Sequence, residues 1–254
     1  MPVLALMYHD VEDSPEASGF RGAAANRYSV SPDRFERHLD AIQASGLRPR
    51  LVGEQVAQLL LTFDDGGRSA ATRTAPILER RGWRGHFFVT TDRIGTNGFL
   101  NREELSALHE AGHVIGSHGC THRALIGLDD GEVLREWSES KAVLEDVLGA
   151  TVAVASVPTG RYSTRVGTLA VEAGYDHVFT SEPWLEPRPL ASGLVYGRIA
   201  VVSGTSPARV AALCSFSRPT LWWLASAWYA RKAAKSLLGP AYDPVRRRIL
   251  DRAS

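Results

Sequence analysis

Short apolar runs of strand length recur along the chain at residues 3–8, 59–63, 86–90, 113–117, 152–157, 177–180 and 194–202, each followed by polar or charged residues. Between them the apolar positions change to a helical period. Phe35, Leu39 and Ile42 make one stripe, Val133, Trp137, Leu144 and Leu148 a second, and Val166, Leu169, Ala170 and Ala173 a third. Helix starts are marked by Ser31 before Pro32, by Asn101, by Asp129 or Asp130, and by Ser163-Thr164, and stops by Gly46, Gly82, Gly112 and Gly174. Further helices are predicted over residues 69–81 and 207–214. Strands alternating with helices argue for a parallel sheet. The expected fold is α/β, a closed or nearly closed (β/α) barrel of about seven parallel strands with its site at the C-terminal rim. It occupies residues 1–217, and residues 218–254 form an aromatic and basic helical tail.

The 254 residues suffice for a sizeable core, and the 29 basic side chains nearly cancel the 28 acidic ones, so the balance points to no nucleic acid or other polyanionic partner. Cys120 and Cys214 make no disulfide framework and suit a reducing compartment. Met1-Pro2 runs into the first apolar stretch without a charged start or a small-residue cleavage site, so a cytoplasmic protein is expected. The tail has two readings. Leu221-Trp222-Trp223-Leu224 and Trp228-Tyr229, followed by Arg231, Lys232, Lys235 and Arg246-Arg247-Arg248, either close over the barrel or lie on the inner face of a membrane as a peripheral contact. Poor amphipathicity in its first half favours closure.

The strongest chemical signal is Leu61-Thr62-Phe63-Asp64-Asp65-Gly66-Gly67, an apolar strand that ends in two adjacent carboxylates. Acids at a buried strand end must be paired, protonated or bound to a cation. After another short strand come His118 and His122, four apart in Ser117-His118-Gly119-Cys120-Thr121-His122. One carboxylate and two imidazoles make a divalent metal site with open positions. Zn²⁺ suits these ligands best, and Co²⁺, Ni²⁺, Mn²⁺ or Fe²⁺ fit the same set.

These motifs, with Met7-Tyr8-His9 and the lead-in Ala111-Gly112-His113-Val114-Ile115-Gly116-Ser117, resemble the polysaccharide deacetylase family, also called carbohydrate esterase family four. The similarity of order and spacing runs from about Val3 to about Val202. The resemblance implies metal-dependent de-N-acetylation of an amino sugar or a glycan precursor on a distorted α/β barrel. It implies Asp65, His118 and His122 as metal ligands and Asp64 as general base.

Later stretches depart from the family pattern. Where many members have an arginine, two prolines, an aromatic and a glycine, this chain reads Ser156-Val157-Pro158-Thr159-Gly160 and then Arg161. Pro158 and Gly160 keep register and are expected to shape the substrate site, but the arginine that orients the base is missing. Arg161 either approaches Asp64 from the other side of the turn, with a share in substrate binding, or is a solvated loop residue. The histidine of a Leu-x-x-His motif, which would protonate the leaving amine, is replaced in Leu194-Val195-Tyr196-Gly197-Arg198. The proton donor is then either His9, which otherwise packs or binds substrate, or Asp64 returning the proton it took from water; Arg198 is a candidate for charge stabilisation and Asp10 a candidate substrate contact. Two alternatives remain beside a de-N-acetylase: a hydrolase of another small or cyclic amide on the same fold, and a degenerate carbohydrate-binding protein that keeps its metal. Residues 13–29 and 182–192 are the expected substrate-facing loops.

Overall fold

The computed structural model describes residues 2–14, 17–54 and 58–217, and beyond them Pro219, Ser226 and residues 228–230, all helical. The chain divides into two compact units, Met1–Ser215 and Phe216–Ser254. The basic positions of the tail and most of its apolar stretch lie outside the described residues. Among the described residues no helix is long and apolar enough to cross a membrane.

The first unit is a curled sheet of nine described strands: β1 Leu4–Tyr8, β2 Leu59–Phe63, β3 His86–Val89, β4 Val114–Ser117, β5 Val154–Ser156, β6 His177–Phe179, β7 Arg188–Leu190, β8 Gly193–Tyr196 and β9 Ile199–Ala200. Their order is β7-β8-β6-β5-β4-β3-β2-β1-β9, parallel throughout except for β7 against β8. The helices are α1 Ala23–Asn26, α2 Pro32–Ala44, α3 Ala75–Arg80, α4 Arg102–Glu110, α5 Asp130–Leu148, α6 Thr164–Glu172 and α7 Pro207–Cys214.

Local sequence explains most boundaries. Ser31 accepts from the amide of Arg34 at the start of α2, and Asn101 with Glu104 and Asp129 with Glu132 form capping boxes for α4 and α5. The helix expected over 69–81 instead opens as a π-turn, Ala70–Thr74, before α3 begins. Pro76 is the physical reason: it has no N–H to donate to an i−4 carbonyl.

The single last strand expected over 194–202 is two. β8 pairs with β6, whereas β9 pairs with β1 at the other edge of the sheet. The stretch between them, Gly197-Arg198, is crowded by the loop after β6, since a Cβ on Gly197 would lie 2.4 Å from the Trp184 carbonyl oxygen and 2.5 Å from that of Glu182. Much of the segment 182–192 is therefore architecture: the Val3 amide bonds the Leu185 carbonyl, the Arg198 amide that of Glu182, and β7 completes the edge.

Side-chain alternation along the strands builds the interior in layers. Ala5, Leu60, Phe88, Val154, Phe179 and Tyr196 form an apolar cluster. Two residues beyond Leu60, Phe88, Val154 and Tyr196, at or just past the strand ends, come polar groups toward the rim: Thr62, Thr90, Ser156 and Arg198, and beyond Thr62 comes Asp64. Gly116 belongs to the crowded layer, because a Cβ there would sit 2.6 Å from Val154 and 2.7 Å from Phe88. Apolar core below, polar groups above, is the arrangement that positions the site.

Candidate active site

Asp64 continues the inward alternation of Leu60 and Thr62. Asp65 would then point outward, but its φ of 78° breaks the alternation and brings both carboxylates to one place. Positive φ at a residue other than glycine costs energy, and it recurs at His122, with φ 61°. Gly66 follows at φ 79°, with Val89 packed 3.1 Å from where its Cβ would be.

Asp65, His118 and His122 each offer one ligand atom, all within 4.8 Å of one another. The Nε2 atoms of His118 and His122 lie 3.5 and 3.2 Å from Asp65 Oδ1. That oxygen is nevertheless buried without an aligned hydrogen-bond partner. A buried carboxylate oxygen left unsatisfied beside two imidazole nitrogens fits a divalent cation, which would take all three. His118 donates from Nδ1 to the Ser156 carbonyl at 3.0 Å, leaving Nε2 free to ligate. Burial pushes its pKa down to about 4, against the pull of Asp64, so the ring is neutral as a ligand must be. His122 is held differently, by its ring against Phe20 at 4.6 Å between centroids.

Asp64 is 5% exposed and fully engaged. Arg198 clamps it in a two-pronged pair, Nη1 to Oδ1 at 2.6 Å and Nη2 to Oδ2 at 2.8 Å. The guanidinium also donates to Ser156 Oγ at 2.7 Å and to the Thr180 carbonyl at 3.1 Å, above the rings of Phe88 and Phe179. Burial alone would raise the Asp64 pKa; Arg198 and His118 outweigh it and hold the carboxyl well below the usual range.

His9 follows β1, with its ring 4.4 Å from that of Tyr28 and its Nδ1 buried without a hydrogen-bond partner. It is near enough to Asp64 and Asp65 to favour their charged forms. Asp10 is buried and turned elsewhere: Oδ1 accepts from Ser18 at 2.6 Å and from Ser69 at 2.7 Å. A Cβ on Gly67 would meet that same oxygen at 2.1 Å, so Asp10 ties the 13–29 loop to the turn after Asp65. Pro158 is buried beside Gly119, Gly160 packs on Ser181, and Arg161 is exposed, making no hydrogen bond or ion pair with the described residues. The loop 13–29 carries the short α1 and delivers Phe20 to His122.

Residues 54–178, which span β2 to β6, match the family model described as polysaccharide deacetylase. This stretch belongs to the polysaccharide deacetylase family. YxkH of Bacillus subtilis (strain 168), named for the same family, is 26% identical over 189 residues, covering 70% of this chain and 64% of YxkH. The chain thus spans under two thirds of that relative. A polysaccharide deacetylase from Bacillus cereus superposes with a TM-score of 0.72 at 21% identity, over 84% of this chain and 69% of that one. IcaB from Ammonifex degensii gives a TM-score of 0.71 at 22% identity, over 84% and 97%. These structures share the deacetylase fold.

Set against the family pattern, the missing arginine has a structural answer. Ser156 stands at the first position of the stretch where many deacetylases carry it, and Arg198 enters the same space from the switch between β8 and β9. Arg198 was a candidate for charge stabilisation, and Arg161 was left between an approach to Asp64 and a solvated loop. Arg198 is bound to Asp64, and Arg161 faces solvent, the second of its two readings. The sequence signal was the pairing of a small residue in the arginine position with an arginine in the histidine position.

Proposed function

We propose that the protein is a metal-dependent hydrolase that removes an N-acetyl group from an amino sugar or a glycoconjugate or polysaccharide precursor. The observation that carries this reading is the convergence of Asp65, His118 and His122 beside an ionised Asp64 locked by Arg198. A divalent cation, Zn²⁺ by the chemistry of its donors, would be held by Asp65, His118 and His122, polarising the acetyl carbonyl and acidifying water.

Asp64 then accepts the proton of the attacking water as general base. Arg198 keeps it ionised and fixes the plane of its carboxylate, a positioning role, since a guanidinium stays protonated. His9 delivers a proton to the departing amine. Its unpartnered buried Nδ1 and its nearness to the two carboxylates support that assignment. Pro158 shapes the wall beside the His118 turn, Gly160 lets the same loop pack on Ser181, and Arg161 is free to meet a substrate at the rim.

The test is a panel of N-acetylated amino sugars and oligosaccharides, assayed for free acetate before and after chelation. Acetate release that stops with chelator and returns with Zn²⁺ or Co²⁺ is expected. Metal uptake with no hydrolysis of any amide in the panel would reduce the protein to a binding module and sink the proposal.

A further inference from the structure

Glu136 stands on the buried face of α5, among Val133, Trp137, Ser140 and Leu144, and is itself only 7% exposed. A carboxylate in that position costs several kcal/mol unless its charge is compensated. Among the described residues no Lys, Arg or His forms an ion pair with it. Its compensation comes from the turn between the two histidines. Oε2 accepts the amide N–H of Cys120 at 2.8 Å and that of Thr121 at 3.0 Å, and Oε1 accepts the Thr121 hydroxyl. The backbone carbonyl of Glu136 in turn accepts from Cys120 Sγ at 3.4 Å. One helical residue therefore holds both residues that precede His122.

The two imidazoles differ in how they are fixed. His118 is anchored by its own amide to the Val89 carbonyl at 2.8 Å and by Nδ1 to Ser156. His122 is carried into the site by the turn, which passes through Gly119 at φ 73° and ends at His122 with φ 61°, and its ring rests on Phe20. A Cβ on Gly119 would lie 3.2 Å from Glu136 Oε2, so the turn is seated directly on the carboxylate. We infer that Glu136 is a positioning residue of the metal centre: by clamping the Cys120 and Thr121 amides it sets the His118–His122 spacing before any cation binds. This inference rests on the metal reading above. It deepens that reading by placing part of the metal affinity on a helix that carries no ligand.

The experiment measures Zn²⁺ affinity by competition with a chromophoric chelator, and the visible d–d spectrum of the Co²⁺ form, for the wild type, Glu136→Gln and Glu136→Ala. Melting of each metal-free protein is recorded in parallel. Removing a group that orients ligands weakens metal binding by about 10- to 100-fold. That loss, with a changed Co²⁺ spectrum, is expected for E136A. E136Q keeps an acceptor for the two amides and should lose about 3- to 10-fold, a partial rescue. A purely structural role would lower melting and leave affinity and spectrum at wild-type values in the folded variants, which would overturn the inference. If E136A does not fold, E136Q decides alone, with wild-type affinity counting against. A wild type that takes up neither Zn²⁺ nor Co²⁺ would defeat the metal reading itself, and this inference with it.

Discussion

Replacing Arg198 by methionine would remove the only strong cation that holds Asp64 among the described residues. The guanidinium makes two bonds to the carboxylate and one each to Ser156, the Thr62 hydroxyl and the Thr180 carbonyl, in a layer closed to solvent. Breaking a buried ion pair from one side leaves an uncompensated charge and costs about 3–5 kcal/mol, a large share of a typical domain's stability. The remaining carboxyl relieves that cost by taking a proton. Asp64 has a folded pKa below its unfolded value, so its stabilising contribution is present above the unfolded pKa and is lost as pH falls through the folded one. Without Arg198 the burial that raises its pKa prevails and the sign reverses: the charged carboxyl costs stability at neutral pH, and that cost is relieved as pH falls through the raised pKa. Urea unfolding across a pH series reads the first effect, and the acid limb of the kcat–pH profile reads the second. Arg198→Lys keeps charge without the fork and should fall between. Unchanged stability together with an unshifted acid limb in R198M would refute the reasoning.

Other consequences follow from the same structure. His9→Asn should lower kcat by roughly 10²-fold or more with little change in KM, since a lost proton donor acts on the chemical step; steady-state kinetics decide. His86 is fully buried, with Nδ1 on the Leu61 carbonyl and Nε2 accepting the Val52 amide, and burial lowers its pKa from 6.5 to about 4. Between those values the unfolded chain binds the extra proton, so stability falls as pH drops through that window, by roughly 3 kcal/mol from this group. His86→Gln, which can keep both bonds without titrating, should flatten that slope in denaturant titrations. Gly116→Ala would force a methyl against Val154 and Phe88, costing about 1–3 kcal/mol in chemical unfolding.

Most strands and helices were legible because the periods of two and of 3.6 residues were clean and capping residues stood at the helix starts: Ser31, Asn101, Asp129, which the sequence left level with Asp130, and Ser163 all accept hydrogen bonds there. Residues 194–202 misled because apolarity says nothing about which edge a strand will pair with, and Gly197-Arg198 switches it from β6 to β1. Spacing also brought Asp65, His118 and His122 into one list of candidates, and they do converge. It gave no access to contacts that close over long sequence separations. Arg198 reaches Asp64 from another strand, Glu136 serves a turn sixteen residues before it, and Phe20 meets His122 from a distant loop. Glu136 was detectable in principle, as the one carboxylate within the apolar stripe that runs through Val133, Trp137 and Leu144.

The central claim is that two adjacent carboxylates do different work, and side-by-side measurement of bound metal and acetate release in Asp64→Asn and Asp65→Asn tests it most directly. The account predicts that D64N retains its metal while turnover falls by about 10²- to 10⁴-fold, and that D65N loses the metal along with turnover. A D64N protein that loses its metal, or a D65N protein that binds it with wild-type affinity, would contradict the assignment.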